Sequence, residues 1–199
     1  MSLSGGQLAG GNSATEKAEN DFYATDPKTV DLFLDSCRDI TDGFNFGALN
    51  TIWECACGNG NISKELEKYF PKSEIISSDL VYRGYGKGGV DFLKSKDNAD
   101  LIITNPPFSL MNEFITHGLK QTKRYLVLFG KIQTLETVER AEILQKSPLR
   151  YVYVHSKRQA TWKDGKSLDP NGKKWATTMC LAWFVWDKQY KGEPIVRWI

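Results

Sequence analysis

Apolar positions along the chain switch repeatedly between a period near 3.6 and short unbroken runs, the signatures of helix and buried strand. Val30, Phe33, Leu34 and Cys37 stand at i, i+3, i+4 and i+7, one face of a helix. Asp26 precedes that helix as an N-cap, with Pro27 at its first position. Residues 51–56 read as a buried strand ending in Cys57-Gly58-Asn59-Gly60. A helix follows with Ile62, Leu66 and Phe70 inward, stopped by Pro71. Strands are expected at 74–78, ending at Asp79, and at 89–92, a short one. Another at 100–104 ends at Asn105-Pro106-Pro107-Phe108. Met111, Phe114, Ile115, Gly118 and Leu119 mark the next helix. A strand at 124–129, a helix at 135–145 and a strand at 150–155 come next. A long apolar strand at 178–187 and a short one at 195–198 end the chain.

Strands alternating with helices imply an α/β fold, a mostly parallel sheet with helices on both faces. The last two strands have no helix between them, so an antiparallel C-terminal strand is expected. Residues 1–20, polar and rich in Gly and Ser, read as a flexible leader. Residues 21–199 read as a single domain. In such sheets ligands bind beyond the carboxyl ends of the strands, and the unusual residues of this chain cluster there.

A net charge of +2 over 199 residues excludes a uniformly basic nucleic-acid wrapper. No apolar run is long enough for a membrane span, and no signal-peptide pattern opens the chain. The four cysteines do not form a disulfide framework, which points to a reduced, cytoplasmic protein. Cys55 and Cys57 stand one residue apart without a second pair, so they read as small core residues and no metal is expected. His117 is expected on or near a helix surface, and His155 as structural or phosphate-facing.

Gly58 and Gly60 allow a sharp turn and a close backbone approach. Asp79, at the end of the next strand, can take the ribose hydroxyls of an adenosine. The third glycine of a dinucleotide signal is Ser63, and no Gly-Lys-Ser/Thr follows. An adenosine ligand without a pyrophosphate fits better than NAD or ATP. Gly-x-Gly alone is equally a tight strand-to-helix turn. In Asn105-Pro106-Pro107-Phe108 the prolines fix the backbone. The Asn105 side-chain oxygen and the Pro106 carbonyl can accept the two N–H bonds of an exocyclic amine, and Phe108 offers a stacking face.

Arg150, Lys157, Arg158, Lys163, Lys166, Lys173 and Lys174 face only Asp164 and Asp169 within one window. That window alone exceeds the net charge of the chain, so the remainder is slightly acidic. Trp162 and Trp175 lie among these charges, and Gly165, Pro170 and Gly172 make residues 156–176 a loop. Basic residues with interleaved aromatics suit a phosphate backbone and exposed bases. Lys157, Arg158, Trp162, Lys163, Lys166, Lys173 and Lys174 are the candidate contacts.

Together these residues resemble the S-adenosylmethionine-dependent adenine-N6 DNA methyltransferases. Asn105-Pro106-Pro107-Phe108 matches their catalytic motif, (Asn/Asp/Ser)-Pro-Pro-(Tyr/Phe/Trp). Glu54-Cys55-Ala56-Cys57-Gly58-Asn59-Gly60 is similar to their cofactor loop, in which Pro often replaces Cys55. Residues 21–27, with Phe22, Tyr23 and Thr25, resemble the segment covering the methionine part of the cofactor. Asp91 and Phe92 resemble the pair holding its adenine. The order of these segments is that of the subclass whose target-recognition part lies toward the C-terminus. The small size and the ending Ala182-Trp183-Phe184-Val185-Trp186-Asp187 look most like the phage-encoded enzymes.

The resemblance implies a Rossmann-like methyltransferase fold and S-adenosylmethionine as cofactor. It implies cofactor contacts from Phe22, Tyr23, Thr25, Glu54, Ala56, Cys57, Gly58, Gly60, Asp79, Leu80, Asp91, Phe92 and Asn105, and catalysis by Asn105, Pro106, Pro107 and Phe108. The partner it implies is double-stranded DNA with the target base flipped onto Phe108; the sequence leaves the oligomeric state open, with a monomer favoured. One domain and one loop lead us to expect a short target or relaxed specificity. The same motif serves guanine-N2 methylation of RNA and methylation of protein glutamine. Phe108 suits the nucleic acids better, because Tyr is usual in the glutamine enzymes. Cytosine-N4 enzymes usually begin the motif with Ser. A domain that binds cofactor or nucleic acid without turnover is a further alternative.

Overall fold

A computed structural model describes residues 22–38, 46–175 and 179–199. The leader at 1–20, Asp21 and Thr178 lie outside the described residues. The elements in chain order are β1 (Tyr23–Thr25), α1 (Pro27–Ser36), β2 (Thr51–Glu54), α2 (Asn61–Tyr69) and β3 (Glu74–Ser77). Then come β4 (Ala99–Thr104), α3 (Met111–Gln121), β5 (Thr122–Lys131), α4 (Val138–Gln145) and β6 (Leu149–Val154). β7 (Thr161–Lys163), β8 (Leu181–Asp187) and β9 (Ile195–Trp198) complete the chain.

Among the described residues, seven strands form one sheet in the order β3-β2-β4-β5-β8-β6-β9. β2, β3, β4 and β5 run parallel, whereas β8 runs antiparallel to both its neighbours β5 and β6. The antiparallel strand is thus β8, and β9 lies parallel to β6 at the edge. β8 is flanked by strands on both sides and covered on both faces, which is why all seven of its residues are buried. Trp183 and Val185 face the layer of α1 and α2, where Phe33, Leu34, Ile62 and Leu66 pack. Ala182, Phe184 and Trp186 face α3 and α4, where Phe114, Ile115 and Leu144 pack. The Asp187 carboxylate ends the strand between Arg124, at 2.9 Å, and Arg150, at 3.0 Å.

α1 begins as its sequence dictates: Asp26 caps it by accepting from the Lys28 N–H at 3.0 Å. Three expectations are corrected. Residues 89–92 form no strand; a 3-10 turn, Phe92–Lys94, stands there, and a lone bridge joins Ser78 to Lys87. Four glycines between 84 and 89 favour turns over extension. The helix expected over 135–145 is a 3-10 turn, Ile132–Leu135, followed by α4. The basic segment is not all loop, since β7 pairs antiparallel with β1 in a separate two-stranded sheet. Among the described residues no helix is long and apolar enough to cross a membrane.

Candidate active site

β2 and β4 are neighbours, and the chain leaves β2 for β3 on one side and β4 for β5 on the other, so a crevice opens beyond their carboxyl ends. Gly58 (φ +54°) and Gly60 (φ +81°) make the turn there in left-handed conformation. A side chain at Gly58 would overlap the ring of Phe22, and one at Gly60 the ring of Tyr85. Neither glycine lines the cleft; they let Phe22 and Tyr85 close over the loop. The Gly58 N–H donates to Asp79 Oδ2 at 2.8 Å, and the Val81 N–H to Oδ1 at 2.9 Å. One lone pair on each oxygen remains to accept a hydroxyl.

Glu54 is buried at the end of β2, in the wall of the cleft. Its Oε2 accepts from the Ser63 N–H at 2.8 Å and from the Ser63 hydroxyl. Burial pushes its carboxyl up to about 8, against the two Ser63 bonds that favour the charged form. Cys55 and Cys57 are buried as expected, and burial pushes Cys57 up to about 12 and Cys55 well above its usual value. Neither is a thiolate at neutral pH.

Asn105 follows β4 directly. Its side-chain N–H donates to the Tyr23 carbonyl at 2.7 Å, which fixes the amide and leaves Oδ1 as an acceptor. The Tyr23 and Phe108 rings lie nearly parallel, 8° apart in plane with centres 6.5 Å apart. Lys131 Nζ stands 5.1 Å from the centre of the Phe108 ring. Asn105, Pro106, Pro107 and Phe108 all line the cleft.

At the other end of the cleft lie Leu80, Val90, Asp91, Phe92 and Leu93. Leu80 is 63% exposed, an apolar lip awaiting a cover. Asp91 pairs with Lys94 at 2.8 Å and accepts from the Leu93 N–H at 3.1 Å. Phe92 meets Trp53 and His117 edge-on. His117 is half-buried near the surface of α3, its Nε2 3.1 Å from the Ser95 carbonyl. His155 is 9% exposed with neither ring nitrogen paired, so it packs against Phe129 and faces no phosphate.

Phe22, Tyr23, Thr25, Glu54, Ala56, Cys57, Asp79, Leu80, Asp91, Phe92 and Asn105 come together in this one cleft. Its donor set fits S-adenosylmethionine. The acids Glu54, Asp79 and Asp91 can partner cations and ribose hydroxyls, and the apolar walls suit an adenine. The Thr25 hydroxyl lies in the same wall, buried and without a partner.

The basic residues 157, 158, 163, 166, 173 and 174 and Trp162 do not line the cleft. Lys157, Arg158, Lys166, Lys173 and Lys174 are exposed, whereas Trp162 and Lys163 are half-buried in β7 beside Ala24 and Tyr23. Trp175 donates its indole N–H to the Lys166 carbonyl at 2.6 Å. The turn after β7 reaches the segment expected to cover the cofactor: the Asp164 N–H donates to the Phe22 carbonyl at 3.2 Å. The sequence reading assigns no role to Ser63, the partner of Glu54, although it stands where a dinucleotide site has glycine, nor to Arg83, which lines the cleft.

A modification subunit of a putative type I restriction enzyme from Vibrio vulnificus YJ016 superposes with a TM-score of 0.59 at 16% identity, over 94% of this chain. The chain spans about half of that protein, 48% of its length. A putative RNA methyltransferase from Pyrococcus horikoshii gives 0.54 at 13% identity over 81% of this chain and 82% of its own. Magnesium protoporphyrin IX methyltransferase from Synechocystis PCC 6803, with S-adenosylmethionine bound, gives 0.51 at 16% identity, over 80% and 78%. These likenesses establish the S-adenosylmethionine-dependent methyltransferase fold. No curated protein matches the sequence significantly. A family model does match, over residues 85–195, more than half of the chain and inclusive of the Asn-Pro-Pro-Phe motif. The chain belongs to the family described as Adenine-specific methyltransferase EcoRI, an S-adenosylmethionine-dependent family.

Proposed function

We propose that this chain methylates the N6 amino group of adenine in double-stranded DNA, as a single catalytic domain over residues 21–199. The observation that carries the reading is the Asn105 amide, held by the Tyr23 carbonyl so that Oδ1 is left to accept. Oδ1 and the Pro106 carbonyl take the two N–H bonds of the target amine. Electron density then localises on its nitrogen, which becomes the nucleophile. Pro106 and Pro107 hold both acceptors still. Phe108 stacks on the flipped base, and the parallel Tyr23 ring bounds the same space. When bound, S-adenosylmethionine supplies an electrophilic methyl group. Phe22, Thr25, Glu54, Ala56, Cys57, Asp79, Leu80, Asp91 and Phe92 would hold it, over the turn made by Gly58 and Gly60. The exposed cations of the 156–175 segment would hold the phosphate backbone.

The family match and the restriction-modification neighbour both favour DNA. The test is incubation with methyl-labelled cofactor and, separately, unmethylated DNA, RNA and protein extract. Label in DNA supports the reading. Label in RNA or protein redirects the acceptor, and none in any pool indicates a binding domain without turnover.

A further inference from the structure

Among the described residues lining the cleft, the ionisable side chains of Asp, Glu, Lys and Arg are three acids, Glu54, Asp79 and Asp91, and one cation, Arg83. The Arg83 guanidinium carbon stands 4.2 Å from the centre of the Phe22 ring. That ring fills the space a side chain at Gly58 would take, so the stack sits over the turn after β2. A guanidinium resting on an aromatic face keeps its N–H fork in plane and pre-organised for a carboxylate.

The cofactor carries two cations, a sulfonium and an ammonium, and one anion, its α-carboxylate. The acids of the wall suit the cations and repel the anion. We propose that Arg83, stacked on Phe22, binds the α-carboxylate of S-adenosylmethionine. The inference rests on the cofactor lying in this cleft. It gives the glycine-rich segment after Asp79 a role: reading the amino-acid half of the cofactor, and so rejecting nucleosides that lack it.

The test is calorimetric binding of two ligands to the wild type and to Arg83→Gln. S-adenosylhomocysteine carries the carboxylate; 5′-methylthioadenosine shares the nucleoside and lacks the amino-acid tail. Arg83→Gln should weaken S-adenosylhomocysteine by about 10- to 100-fold, the range for a hydrogen bond to a charged group, and methylthioadenosine by less than about twofold. Unchanged methylthioadenosine binding also shows that the variant is folded. Equal losses for both ligands would overturn the proposal, leaving Arg83 as a clasp for Phe22, and so would no loss for either. A wild type that binds neither ligand would instead sink the cofactor site itself, and the proposal with it.

Discussion

The side-chain N–H of Asn105 donates to the backbone carbonyl of Tyr23, 82 residues earlier in the chain. In the proposed reading, the bond ties the acceptor for the target amine to the segment that would cover the cofactor. Asn105→Ala removes the side-chain acceptor and leaves the walls of the cofactor cleft in place. Transfer in a single turnover should fall by at least about 100- to 1,000-fold, the usual cost of one aimed hydrogen-bonding group. Cofactor affinity measured by calorimetry should change by less than about threefold, within the context scatter of one peripheral hydrogen bond. A fully active variant would remove Asn105 from the chemistry.

Glu54 holds its proton at neutral pH because burial raises it to about 8. A cationic cofactor in the same cleft favours the charged carboxylate, so binding should expel that proton. Affinity should rise with pH from 6 to about 8 and then level off. Calorimetry in buffers of different ionisation enthalpy measures the proton directly. Binding at pH 7 with no proton released, and no change in Glu54→Gln, would contradict this.

His155 titrates at about 4 because burial disfavours its charged form. Its folded value lies below the unfolded one of 6.5, so the unfolded chain binds the extra proton. Its contribution to stability is whole above pH 6.5 and is lost as pH falls toward 4. His155→Phe keeps the contact with Phe129 and cannot titrate. The melting temperature of the wild type, relative to that variant, should drop by roughly 5 °C between pH 7 and pH 4. A constant difference across that range would show that His155 is not buried as described.

Lys157, Arg158, Lys173 and Lys174 are exposed on the segment that borders the cofactor cover. Replacing all four by Gln should weaken DNA binding uniformly across sequences. It should also lower the slope of log affinity against log salt by up to about 3.6, or roughly 0.9 for each phosphate no longer neutralised. An unchanged slope in a filter-binding titration would take this segment out of the interface.

The sheet was legible because each strand from Thr51 to Asp187 carries a dense apolar run closed by glycine, proline or a polar residue. β8 shows it best: Leu181–Asp187 has an apolar residue at every position but the last, as a strand covered on both faces must. The ends of β2 and β4 were legible for the same reason, because the runs stop at Cys57-Gly58 and Asn105-Pro106. β7 was not. Thr161–Lys163 is three residues long, its one large apolar side chain sits beside a lysine, and its partner β1 lies about 140 residues away. Such a pairing is decided by tertiary packing and leaves no local period. The Glu54–Ser63 bond and the Arg83–Phe22 stack escaped for a related reason. Each joins residues whose types alone are ordinary and whose meeting depends on the turn at Gly58.

The account stands most directly on the atom that receives the methyl group. Unmethylated double-stranded DNA is incubated with the protein and isotopically labelled S-adenosylmethionine, digested to nucleosides and resolved by mass spectrometry. Label in N6-methyladenine, absent with Asn105→Ala, is the predicted result. Label in N4-methylcytosine or N2-methylguanine, or DNA left unlabelled by a protein that binds the cofactor, would contradict it.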